Sequence, residues 1–241
     1  MNTATTAPIT KPCPSCGEPT PQVPGLGITL HCDDCTEKIE AERNAHEIER
    51  VNARREKHWR EICPGGYRET DATDPRLNQI ALESARDWVR NHKAGCTRGL
   101  SLIGRSGLGK TRIAYLALKA CHDSGERVFA IRAKELAAAA VRAAGGGNAN
   151  SRQQDEATQT LRACISADVL LLDDLGKGSA TPRVIESIED LIEDRTANKR
   201  PIIWTSNAGG DWLEEFFGPD SGPPIVRRLS EFCESPELPR E

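Results

Sequence analysis

Eight consecutive residues, Gly104-Arg105-Ser106-Gly107-Leu108-Gly109-Lys110-Thr111, fit the pattern G-x4-G-K-[ST] of a phosphate-binding loop. The chemistry that such a run can do is specific. Gly107 and Gly109 permit the backbone to turn so that successive N–H groups, from Gly104 through Thr111, face phosphate oxygens. Lys110 has the reach for the β- and γ-phosphates, and Thr111 offers a hydroxyl to Mg2+. The pattern is persuasive because of its flanks: an apolar run, Gly99-Leu100-Ser101-Leu102-Ile103, leads into it and a helix-like run leaves it.

Two later segments carry groups that a phosphate site needs. Val169-Leu-Leu-Leu172 ends in Asp173-Asp174, which sets a carboxylate at the end of a buried strand. In a P-loop nucleotide site Asp173 would hold Mg2+ through its water shell, and Asp174 would orient or deprotonate the attacking water. Asp is shorter than the Glu more usual at that second position, so slow hydrolysis is expected. Asn207 follows the run Ile202 to Thr205 and would set its amide beside the terminal phosphate.

A second chemistry sits near the front. Cys13-Pro-Ser-Cys16 and Cys32-Asp-Asp-Cys35 are two C-x2-C pairs with the spacing of a four-thiolate Zn2+ site, each pair expected on a tight turn. Gly17, Gly25, Gly27 and nearby prolines would bend the chain between them. Four thiolates leave no open position for water, so the zinc would be structural, and its binding energy would fold residues 11–36. His31 adjoins Cys32 and is read as a neighbour of the site rather than a ligand.

The remaining pattern is that of the scaffold. The chain has 241 residues, 37% of them hydrophobic, enough for one main core and a small appendage. Its net charge of −4 excludes a surface coated in positive charge, so a nucleic-acid contact would be local. No apolar stretch approaches the roughly 18 residues of a membrane span, and Met1 to Thr10 lack the features of an export signal. A cytoplasmic protein with its nine cysteines mostly reduced is expected. The reading divides the chain into a flexible start (1–10), a zinc module (11–36), a charged helical linker (37–62) and a main domain (63–241). Spacing of the linker's sparse apolar residues favours a spacer over a partner-docking helix. In the main domain, strands are expected at 100–103, 127–131, 169–172 and 201–205, and helices follow Pro75 and occupy 110–121, 133–144, 153–166 and 181–197. The alternation gives an α/β fold with a parallel sheet covered by helices. Gly145 to Asn150 reads as a surface loop.

Together Gly104 to Thr111, Asp173-Asp174-Leu175-Gly176, Thr205-Ser206-Asn207 and Val226-Arg227-Arg228-Leu229 resemble AAA+ ATPases of the DnaC and DnaI helicase-loader group, which includes IstB-like transposition helpers. The resemblance spans roughly residues 63 to 233. It implies a three-layer P-loop AAA+ fold, ATP rather than GTP, and ATPase activity. It also implies a homo-oligomer with ATP between subunits, single-stranded DNA as a ligand and a replicative DNA helicase as partner. The resemblance further implies that Arg228, in preference to Arg227, reaches the ATP of a neighbouring subunit; Arg195 is a lesser candidate for that interface. A helical lid is not apparent in the sequence, and Arg240 is the one late candidate for a lid arginine. Two alternatives remain: a transposition helper, and a zinc-ribbon adaptor that holds nucleotide without productive turnover. Arg132 and Lys134 read equally as groove-facing cations or as solvated charges at a helix start.

Overall fold

The structure is a computed structural model that describes residues 10–22, 30–178 and 180–236. It forms two compact units, Met1–Lys57 and His58–Glu241. Gly25, Gly27 and Arg240, like nearly all of the expected flexible start, lie outside the described residues.

In the first unit β1 (Thr10–Pro12) and β2 (Pro19–Pro21) pair antiparallel, with Lys11 opposite Thr20. The turn between them closes through Gly17 N–H on the Cys13 carbonyl, with Gly17 at φ 81°, a left-handed conformation that glycine adopts without strain. α1 (Asp33–Ile62) begins with two acidic residues that complement the helix dipole. Most of its length carries charged, exposed side chains, and Ile48 is open to solvent. Its last five residues belong to the second unit, where Trp59 is buried.

The second unit continues through the single turn α2 (Gly65–Arg68) into α3 (Gln79–Lys93). Asn78 caps α3 by accepting from the Ala81 N–H at 3.0 Å. Ala81, Leu82, Ala85 and Trp88 form its buried face, whereas Ile80, whose position also fits the helical period, is half exposed. The sheet then begins with β3 (Gly99–Ile103), followed by α4 (Lys110–Asp123), β4 (Val128–Arg132), α5 (Ala133–Ala143) and α6 (Ser151–Ser166). β5 (Val169–Asp173), α7 (Pro182–Ala197) and β6 (Ile202–Ser206) come next. α8 (Gly210–Phe232) is broken at Gly218, φ 84°, and the chain returns to the sheet as β7 (Cys233–Glu234).

The five strands are all parallel in the order β4-β5-β6-β3-β7. Burial on both faces explains why their sequences are nearly continuous apolar runs. Leu100, Leu102, Val169, Leu171 and Ile203 pack with α3 and α4 on one side. Leu170, Leu172, Ile202 and Trp204 point the other way, toward Leu136, Ile188, Ile192, Phe217 and Leu229. Three layers result, a helix layer on either side of the sheet, as expected. β7 and the N-terminal hairpin are additions that the sequence reading did not foresee.

Arg195 corrects the sequence reading outright. It is 0% exposed, and its guanidinium donates to the carbonyls of Cys164, Ala167 and Pro201 at 2.7, 3.0 and 2.7 Å, with Ile165 and Asp168 at 3.3 Å. A side chain so enclosed within its own subunit cannot reach a neighbour's nucleotide. It ties the ends of α6 and α7 to the start of β6.

Candidate functional site

The parallel order sets the C-terminal ends of β3, β6 and β5 side by side, so the loops leaving them converge. From β3 comes the loop 104–109. Gly107 and Gly109 have φ of 90° and 75°, where an L side chain would be strained, and a Cβ on Gly109 would also meet Leu77 Cδ2 at 2.9 Å. The Asn78 N–H bonds to the Leu108 carbonyl at 3.2 Å, fastening the segment before α3 to the loop. Gly109 then caps α4, whose first residues are Lys110 and Thr111, so the positive end of the helix dipole lies at the loop.

Lys110 is 6% exposed, yet its ammonium is well partnered: Nζ donates to the Arg105 carbonyl at 2.8 Å and to Asn207 Oδ1 at 2.9 Å. Burial lowers its pKa, and the carboxylates of Asp174 and Asp173 offset part of that shift. Thus the loop lysine and the residue after β6 meet directly. β5 delivers Asp173, 3% exposed, whose Oδ1 accepts from Thr111 Oγ1 at 2.8 Å and Thr205 Oγ1 at 2.7 Å. Burial pushes the Asp173 carboxyl above its ordinary range, and the two hydroxyls hold it back.

Asp174 takes a left-handed conformation, φ 57°. Its N–H donates to Thr205 Oγ1 at 2.9 Å, and its carboxylate pairs with Lys177 Nζ at 3.3 Å on the open side. Thr205 is therefore the hinge of the arrangement: one hydroxyl donates to Asp173 and accepts from Asp174. The motif that contains Thr205 gives it no role from sequence alone. The signal was present, because a hydroxyl at the buried end of an apolar strand requires a partner. Beside Gly104, Arg105 and Asn207 opens a cleft of about 1000 Å3, flanked by Asp211 and Trp212 of α8.

Neither arginine of the 226–229 motif lies among these groups. Arg228 is held on α7 by Glu193 Oε2 at 3.1 Å and Glu189 Oε1 at 3.7 Å, whereas Arg227 is exposed and makes no ion pair among the described residues. Arg132, at the start of α5, pairs with Glu135 at 3.8 Å, and Lys134 is solvent-exposed.

The donor set fits Mg2+ and a nucleotide phosphate chain. The loop lies at a helix N-terminus, Lys110 stands within it, and a hydroxyl and a carboxylate suited to Mg2+ are already in contact. When bound, Mg2+ would spread the charge of the phosphates; Thr111 and Asp173 would hold it.

In the first unit the four sulfurs of Cys13, Cys16, Cys32 and Cys35 lie within 4.8 Å of one another. The first pair sits at the β1–β2 turn as expected. The second does not: Cys32 precedes α1 and Cys35 lies in its first turn, because the helix starts earlier than its charge pattern suggests. The Cys32 N–H donates to Cys13 Sγ at 3.4 Å, and Cys16 and Cys32 sulfurs are 3.4 Å apart. Desolvation opposes ionisation of Cys13, yet the amides of Cys32, Cys16 and Ser15 outweigh it and hold its thiol at about 5. Cys35, hydrogen-bonded to Cys32 and Cys16, is pushed up to about 12. Four thiols this close cannot all ionise without a cation among them, which is the condition that zinc satisfies. His31 turns its Nδ1 to Ser15 Oγ at 3.0 Å.

A phosphate loop between β3 and α4, an acidic β5 end and a polar β6 end on a parallel three-layer sheet define an AAA+ P-loop fold. The chain belongs to the family of IstB-like ATP binding proteins, whose family model matches residues 35–236. No curated protein matches the sequence. Among solved structures it is similar to the DnaC helicase loader, at 24% identity, TM-score 0.59, covering 73% of this chain and 100% of that one. It is similar to DnaI at 18% identity, TM-score 0.60, covering 73% and 95%. The replication initiator DnaA bound to AMPPCP and single-stranded DNA matches at 19% identity, TM-score 0.55, covering 73% of this chain and 51% of that one. At these identities the likeness is one of fold. Among the described residues no helix is long and apolar enough to cross a membrane.

Proposed function

We propose that the protein is an ATP-switched helicase loader. It binds ATP with Mg2+, assembles with copies of itself around the nucleotide, holds single-stranded DNA and presents its amino-terminal part to a replicative DNA helicase. The observation that carries this reading is the junction of Lys110 with Asn207 beside that of Thr111, Asp173 and Thr205. One cluster thus senses the terminal phosphate and the metal together, as a switch requires. Asp174 orients the attacking water, and its pairing with Lys177 together with its short side chain keeps turnover slow. Arg228 acts on the neighbour's nucleotide once assembly releases it from Glu189 and Glu193.

The test is oligomer size and single-strand affinity measured with ATP and with ADP, and phosphate release with and without single-stranded DNA. Both should respond to nucleotide, and Lys110→Ala should abolish the response. Identical behaviour in ATP and ADP would remove the switch, and nucleotide binding with no hydrolysis would leave an adaptor. Mixing Arg228→Ala with wild-type chains should lower activity per wild-type subunit, whereas Arg227→Ala should not. The family match over 35–236 is equally consistent with a second reading, a transposition helper. Recovery of a transposase instead of a helicase as the bound partner would select it.

A further inference from the structure

Helices α3 and α4 lie side by side, and each ends in a glycine turn that folds the chain back on its last residues. After α3, Gly95 (φ 97°) returns the chain so that the Cys96 N–H reaches the Asn91 carbonyl at 3.0 Å. After α4, Gly125 (φ 96°) does the same, and the Glu126 N–H reaches the Cys121 carbonyl at 3.3 Å. The two turns bring His92 together with Cys121 and Glu126, about thirty residues further along the chain. His92 Nε2 lies 2.9 Å from Glu126 Oε2, and the Cys121 sulfur completes a set whose ligand atoms are all within 4.8 Å of one another.

The histidine is held as metal ligands are held. Its Nδ1 faces the Cys96 carbonyl at 3.0 Å, a contact that requires a proton on Nδ1 and leaves Nε2 as the coordinating atom. Its ring stacks on Trp88 at 5.2 Å with an interplanar angle of 1°, and Trp88 is itself fixed by its Nε1 donating to the Arg98 carbonyl at 2.8 Å. Cys121 is fully buried, and burial pushes its thiol up to about 12. Two helix C-termini converge here, and their partial negative charges add to the Glu126 carboxylate in favouring a cation. Imidazole, thiolate and carboxylate in one set match Zn2+ better than Mg2+ or Ca2+, which take oxygen ligands. Ligand atoms on one tetrahedral zinc stand about 3.3 to 3.8 Å apart, so separations within 4.8 Å close on one ion with shifts of about 1 Å.

We propose that His92, Cys121 and Glu126 form a second zinc site, separate from the four-cysteine cluster, that staples the C-terminal ends of α3 and α4. On loading, the Cys121 S–H proton and the proton shared between His92 Nε2 and Glu126 Oε2 both pass to solvent, and sulfur, nitrogen and oxygen each bond to zinc; the fourth position is left to water. α4 is the helix that opens with Lys110 and Thr111, so the staple anchors the far end of the phosphate-loop helix.

The test is zinc stoichiometry of the full chain after equilibration with excess Zn2+ and desalting. Two equivalents are expected in the wild type, and one each in Cys121→Ala and in the double variant Cys13→Ser/Cys16→Ser. Because Cys121 is buried and its replacement could disturb folding, Glu126→Gln provides a second measure. This partly exposed substitution keeps a hydrogen-bonding shape beside His92 and should weaken the second equivalent at least about tenfold. Zn2+ should raise the thermal midpoint of Cys13→Ser/Cys16→Ser but not of that variant carrying Cys121→Ala as well. A wild type that stops at one equivalent, lost entirely in Cys13→Ser/Cys16→Ser, would overturn the proposal and leave His92 and Glu126 a plain ion pair.

Discussion

Asp173 shows how a residue built for a ligand weakens the chain that carries it. Its carboxyl sits above the ordinary range because the folded chain buries it, so folding favours its protonated form. A raised carboxyl contributes stability below the unfolded value, and that contribution is lost as pH rises through the folded one. At neutral pH the nucleotide-free protein therefore bears an uncompensated cost, relieved where a cation joins Asp173. Asp173→Asn keeps an acceptor for Thr111 and Thr205 and deletes the charge. It should raise the thermal midpoint of the nucleotide-free chain at pH 7, by about 2–4 °C per kcal/mol released, and should abolish Mg2+-dependent turnover. The gain should shrink as pH falls toward the carboxylate range; a variant that melts lower than wild type at pH 7 would contradict this account. Arg195 behaves oppositely. Burial, with Arg200 nearby, brings its guanidinium down to about 10, still charged at neutral pH; of its five carbonyl partners, Ile165 also accepts from Arg200 at 2.7 Å and Pro201 from the Leu170 N–H at 3.2 Å. Arg195→Ala should cost about 3–5 kcal/mol by denaturant unfolding, because it strands buried carbonyls as well as removing the bonds. Nucleotide affinity of the chains that remain folded should be unchanged, which separates a structural arginine from one that serves the site.

Elements were legible where a single period dominated. The runs at Leu100, Val169 and Ile202 read as buried strands because parallel strands covered on both faces leave no polar alternation. The phosphate loop was legible as a whole, since its spacing admits few other uses. What escaped was set by distant partners. Ile80 fits a helical period but meets solvent, since α3 buries a face narrower than its apolar content. Arg195 has no local signal that distinguishes a buried hub from an interface cation. β7 is two residues long, and its strand character comes from the neighbour it pairs with. That pairing is specific: Gly99 registers with Cys233, Arg98 donates to the Cys233 carbonyl at 3.1 Å, and Ser101 donates to the Glu234 carbonyl at 3.2 Å. Cys233 is buried, and its thiol is pushed up to about 12 by burial. A chain ending at Phe232 would lose these bonds and uncover β3 as an edge. It should be destabilised by about 2–3 kcal/mol and aggregate more readily on warming. Equal denaturation midpoints for the two chains would show that β7 only decorates the sheet.

At the scale of the whole molecule, the two units rest on different physics. The second has a two-sided core of Leu, Ile, Val and Trp side chains that begins at Trp59. In the described part of the first, Cys13 and Cys35 are the only buried hydrophobic residues, and its regular structure is a hairpin of two three-residue strands and an exposed charged helix. A segment with so little apolar surface to bury does not by itself offset its conformational entropy, so we propose that zinc on its four sulfurs folds it. The two units should therefore come apart thermodynamically when metal is withdrawn. A strong chelator should release the zinc held by Cys13, Cys16, Cys32 and Cys35 and open the hairpin to protease. Nucleotide affinity and the main melting transition of the second unit should stay close to those of the chain lacking Cys13 and Cys16. Full chain and Cys13→Ser/Cys16→Ser variant compared side by side supply the control, since a chelator acting on the variant would be acting elsewhere. Loss of nucleotide binding in step with release of the four-cysteine zinc would mean that the cluster supports the ATP site. Its role would then extend beyond the module that it folds.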